Sequence, residues 1–172
     1  MFFFKSPLPD TLHLRALDQV RELRYLATNQ PTLQLIENAD QILTVFGKIQ
    51  KKAVHSLITH WLIKQAKAQL SDWLFTLARQ HAFQINGISI RQQRTLWGSC
   101  TVNKRINLNF KLLFLPKTLV EHILLHELCH TEHFNHSRAF WQRLAQLDPF
   151  CQIHRKALKE AHVFLPKWIP MG

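Results

Sequence analysis

The chain is 172 residues long and carries 22 Lys and Arg against 11 Asp and Glu, a formal net charge of +11 with histidine counted neutral. Hydrophobic residues make up 47% and charged residues 19%, which excludes a disordered chain and suffices for one domain, residues 1–172, with a buried core. The charge attracts anions such as nucleic acid, nucleotides or acidic surfaces, yet the basic residues, Lys48 and Lys159 among them, are spread along the chain with no single docking run.

The start, MFFFKSPLPDT, is too short in apolar residues for a signal peptide, and no stretch of about 20 apolar residues follows anywhere, so the expectation is a cytoplasmic protein with no membrane partner. Residues 1–48 form a strand-rich part. RYLAT, TLQLIEN and QILTVFG alternate in hydropathy and are separated by Asn29-Gln30-Pro31 and Asn38-Ala39-Asp40, which predicts a small antiparallel sheet. Residues 49–172 are the helical and chemistry-bearing part. From 49 to 80 the period changes: Val54, Leu57, Ile58, Trp61, Leu62, Ala66, Leu70, Trp73, Leu74, Leu77 and Ala78 recur at helical steps, with both tryptophans read as core.

A strand follows Gly87, and Ile106, Leu108 and Phe110 alternate with Asn107, Asn109 and Lys111 as in a half-buried strand. The piece between, residues 97–103, reads as a hairpin connection. A helix opens near Pro116 and runs through KTLVEHILLHELCHTEH. Ser137 is the expected N-cap of RAFWQRLAQL, which stops at Asp148-Pro149, and a last helix covers about 152–162. Sheet, long helix, hairpin, then helices make an α+β protein.

HELCHTEHFNHS, residues 126–137, holds the chemistry. His126 and His130 lie four apart on a helix, so both imidazoles share a face about 6 Å apart along the axis and can meet on one zinc ion. Glu127 beside them completes HExxH, in which the glutamate is the general base toward a water. By chance this pattern arises in a chain of this His and Glu content with odds of roughly one in forty, so its place on an independently predicted helix matters.

A third ligand must reach the same ion. On a straight helix His122 or His133 would stretch the set over roughly 10–12 Å, too far for one metal. His136 can reach it if the chain turns sharply after His133, and Asn135 tolerates the left-handed conformation for such a stop. The other candidate is Glu160, on the last helix. His122 reads as an exposed helix residue, and His13, His55, His60, His81, His154 and His162 as surface or hydrogen-bonded ones. Cys100, Cys129 and Cys151 fit neither a disulfide framework nor a thiolate zinc site.

LWGSCTVNKRINLNFKL, VEHILLHELCHTEHFNHSRAFW and the Pro-Lys-Trp ending together resemble the YgjP-like metal-dependent hydrolases, minimal zincins related to SprT-like and WLM proteases. The match is close over about 91–145; Leu96 stands where the family tends to have Arg, and the 101–105 turn lacks Gly. The resemblance implies a zincin-like α+β fold, zinc on His126, His130 and His136, Glu127 as base, and Trp97, Phe140 and Trp141 as scaffold. It also implies that the strand 106–110 forms the edge of the cleft, where an extended protein or peptide substrate can pair. Two other functions fit the residues: a phosphohydrolase acting on nucleotides, and a basic nucleic-acid-binding protein with a structural zinc.

Overall fold

In the computed structural model residues 8–170 are described; the Phe2–Phe4 start lies outside them. Strands β1 (Thr11–Leu14), β2 (Gln19–Ala27), β3 (Gln34–Glu37) and β4 (Ile42–Gly47) form one sheet in the order β1-β2-β4-β3. β2 and β4 run parallel, while β1–β2 and β3–β4 are antiparallel. The N-terminal sheet is therefore mixed rather than wholly antiparallel. The chain leaves β2, crosses to the far edge as β3, and returns in a hairpin that inserts β4 between them. Alternation marks strands but carries no information on which neighbour each one takes.

Helix α1 (Lys51–Gln80) buries Val54, Ile58, Trp61, Leu62, Ala66, Leu70, Leu74, Leu77 and Ala78 along one stripe, while Leu57 and Trp73, also singled out by helical periodicity, lie at its margin half-buried. Opposite it lies a second sheet of β5 (Gly87–Arg91), β7 (Arg105–Asn109) and β6 (Gly98–Cys100), in that spatial order. β7 is thus the central strand and β6 the edge, which corrects the expectation that 106–110 borders the cleft. The alternation also ends early. Phe110–Phe114 is a 3-10 turn, and Asn109 and Lys111 are buried instead of facing water. The Asn109 amide donates to the carbonyls of Gln93 (2.9 Å) and Leu96 (2.8 Å), and the Lys111 ammonium to those of Gln93 (3.1 Å) and Pro170 (2.6 Å). These bonds satisfy two polar groups in the core and anchor the loop that delivers β6.

Helix α2 (Lys117–Cys129) is nearly encircled: Leu119, Val120, Ile123, Leu124 and Leu128 are buried. It touches α1, β6, α3 (Arg138–Leu147) and α4 (Cys151–Ala157). A 3-10 turn, Leu158–Phe164, continues α4. Among the described residues no helix is long and apolar enough to cross a membrane.

Candidate metal centre

The helix that carries the motif ends sooner than its hydropathy suggests. α2 stops at Cys129, because the Thr131 hydroxyl bonds the Leu128 carbonyl (2.7 Å) and the Thr131 N–H takes the same acceptor (2.9 Å). The expected left-handed break at Asn135 is absent; the positive-φ non-glycine residues are Asp18, Gln41, Ala82 and Lys104. The tightened last turn and the bends that follow it redirect the chain. Ser137 then caps α3, its Oγ accepting from the Phe140 N–H (3.4 Å), and this places His136 immediately ahead of the new helix.

The result is convergence. His126 Nε2 lies 3.2 Å from His130 Nε2 and 3.1 Å from His136 Nε2. All three rings sit on Phe140, with centroids 4.6–4.9 Å from its own, and Trp141 stacks on His136 at 5.5 Å and 24°. His130 Nδ1 lies 3.0 Å from the His133 carbonyl oxygen. A carbonyl only accepts, so that nitrogen carries the proton and, in the neutral ring, Nε2 presents a lone pair. Burial and the neighbouring His130 and His136 drive His126 down to about 3, which keeps it unprotonated. Burial, His130 and Arg155 lower His136 as well.

Neutral imidazoles that aim acceptors at one another want a cation between them. Two nitrogens bound tetrahedrally at about 2.0–2.1 Å lie ~3.3–3.4 Å apart, close to the spacing found. Glu127 fits the same cation. It is 5% exposed, its Oε2 has no hydrogen-bond partner, and burial lifts its carboxyl to about 8. A neighbouring divalent cation opposes that rise. Gly98 on β6 makes the room: a Cβ there would lie 2.8 Å from Glu127 Cγ and Oε1. The glycine of the Trp-Gly-Ser-Cys turn is needed for this close approach rather than for an unusual backbone.

A second group lies one turn earlier on α2. His122, read from sequence as exposed, is 2% exposed. Its Nδ1 meets Asp148 Oδ2 at 2.6 Å, and His154 Nδ1 meets the same oxygen at 2.8 Å. Burial raises the Asp148 carboxyl, but the hydrogen bonds from His154 and His122 outweigh it and hold it below the usual range. Burial lowers His122 despite its bond to Asp148. Asp148 had been legible only as a helix stop, since its partners sit 26 residues before it and 6 after. Glu160 lines a separate cavity with Pro116, Leu119 and Phe164 and is not among the groups that converge on His126. The three cysteines are free, and Cys129 is fully buried.

Beside the converging histidines opens a cavity of about 550 Å³ between β6 and α4, lined by Leu96, Trp97, Ile123, Trp141 and Leu158 together with His126, His136 and Glu127. An α+β fold with an HExxH helix beneath an edge strand defines the zincin-like class. Within that class the chain belongs to the YgjP-like family, whose metallopeptidase-domain model matches residues 9–161. It is accordingly a metal-dependent hydrolase, and the family implies a divalent metal. No curated protein and no solved structure gives a match.

Proposed function

We propose that this protein is a zinc metallopeptidase in which His126, His130 and His136 hold the ion and Glu127 is the general base. The observation that carries this reading is the convergence of three imidazole nitrogens beside a buried, unpartnered carboxylate. Three protein ligands leave a fourth position open, the mark of a catalytic rather than a structural zinc. When bound, zinc supplies a Lewis acid that acidifies a water and polarises the scissile carbonyl.

The chain's own residues do the rest. Glu127 takes a proton from the attacking water and returns it to the leaving amine. Phe140 and the His133 carbonyl hold the rings in the orientation that points Nε2 inward. Among the described residues β6 pairs with β7 alone, so its other edge can take an extended peptide as an added strand. That free strand edge suits an extended peptide rather than a nucleotide, which favours this reading over a nucleotide phosphohydrolase. Glu127→Gln keeps the shape and removes the base. Expected are one zinc per chain as in the parent, and turnover of an unfolded-protein substrate reduced by about 10²–10⁴. Undiminished turnover by the zinc-loaded variant refutes the assignment of Glu127.

A further inference from the structure

We propose that the same cavity contains an anion pocket, built by Arg155 and Lys159, that selects peptides presenting a carboxylate beside the scissile bond. The proposal rests on the metallopeptidase reading and narrows its substrate class. Arg155 on α4 and Lys159 on the turn after it both line the cavity. The Arg155 guanidinium lies over the Trp141 ring, 4.6 Å from its centroid, and Trp141 in turn stacks on His136. A guanidinium that spends its face on an indole keeps its N–H edge for a planar acceptor, and a carboxylate matches that fork.

No such acceptor is supplied from within. Neither cation forms an ion pair among the described residues. Asp148, the nearest acid on the N-terminal side, is engaged by His122 and His154. Glu127 is the one carboxylate in the lining, and its buried Oε2 bonds to nothing. Glu160, next to Lys159, faces the other cavity. Two positive charges therefore stand at a substrate cavity without a counter-ion, one of them held in place by an aromatic stack anchored to a metal-ligand candidate. A bound peptide brings the missing charge, either as an Asp or Glu side chain or as a free C-terminal carboxylate.

The test uses full-length zinc-loaded Glu127→Gln protein and fluorescein-labelled peptides in three matched forms. One is neutral with an amidated end, one bears a central Glu with an amidated end, and one is neutral with a free C-terminus. Binding is read by anisotropy, and cleavage by the parent protein in parallel. Either carboxylate peptide should bind about tenfold more tightly than the neutral one, the size of a charge-assisted hydrogen bond, and the arm that does so identifies the source. Adding Arg155→Gln and Lys159→Gln should abolish the preference. Adding instead Lys48→Gln and Lys52→Gln, exposed cations outside this cavity, removes equal charge and should leave the preference intact. Equal binding of all three peptides overturns the pocket, as does a preference that survives loss of both cavity cations. Preferential binding with no cleavage of any peptide by the parent supports the pocket and overturns the peptidase reading. Cleavage without preference does the reverse.

Discussion

Helix α2 carries two histidine groups one turn apart, and each brings three potential ligand atoms within 4.8 Å of one another. They differ in what their atoms offer each other. In His122–Asp148–His154 one carboxylate oxygen receives two ring N–H donors at 2.6 and 2.8 Å. The negative charge sits inside the group and every facing atom has its complement. In His126–His130–His136 three Nε2 atoms face inward, and Glu127, which lines the same cavity, keeps an oxygen unpartnered. Proximity of ligand types is thus a poor criterion for a metal site. Mutual dissatisfaction is the better one, because only an added cation relieves it.

Removing one histidine from each group separates the two most widely. His136→Ala deletes a proposed ligand and should weaken zinc binding by more than the 10–100-fold typical of an outer-shell partner. His154→Ala should leave one zinc per chain and an unchanged affinity, because its Nδ1 serves Asp148. Competition with a chromophoric chelator measures both. A second zinc in the parent that disappears with His154→Ala would collapse the distinction.

Asp148→Asn tests whether the self-satisfied group is structural. Loss of a buried charge-assisted acceptor should cost about 1–3 kcal/mol near neutral pH, measured by urea unfolding of the zinc-free chain, with zinc binding retained. The folded carboxyl has its pKa depressed, so the unfolded state binds more protons in acid. The Asp148 contribution is present above the unfolded carboxylate value of about 3.9 and is lost as pH falls through the folded one. The part of the gap that the Asp148 charge supplies should therefore begin to shrink once pH falls below about 4. His122, also depressed, destabilises the fold as pH drops below its unfolded value of about 6.5, and does so further in the variant, where the Asp148 charge no longer holds it up. A gap that does not shrink at all as the medium is made acid would mean that Asp148 acts by shape rather than charge.

What sequence revealed and what it hid follow a physical division. α1 was legible because a thirty-residue helix repeats its apolar stripe many times over, and the HExxH face because i and i+4 are fixed by helix geometry. The Ser137 cap was legible because capping is local. β1 was missed, since four residues carry too little alternation. Asn109 and Lys111 misled because alternation reports a face, while their polar groups are satisfied by the carbonyls of a loop sixteen and eighteen residues away. The end of α2 depended on one threonine hydroxyl, a signal no periodicity contains. The Asp148 network depended on tertiary neighbours entirely.

The smallest expected effect concerns His133, the fourth histidine of the motif. Its backbone carbonyl fixes the His130 tautomer, whereas its side chain belongs to neither group. A carbonyl survives every substitution, so His133→Ala should change zinc affinity by no more than about twofold, well under the 10–100-fold that follows loss of a side-chain orienting partner. The same change should leave His130 donating through Nδ1, visible as an unshifted imidazole N–H resonance in the zinc-loaded protein. A tenfold loss of affinity would bring the His133 imidazole into the site. The reason for separating it from its three neighbours, that its contribution is main-chain and theirs is not, would then be gone.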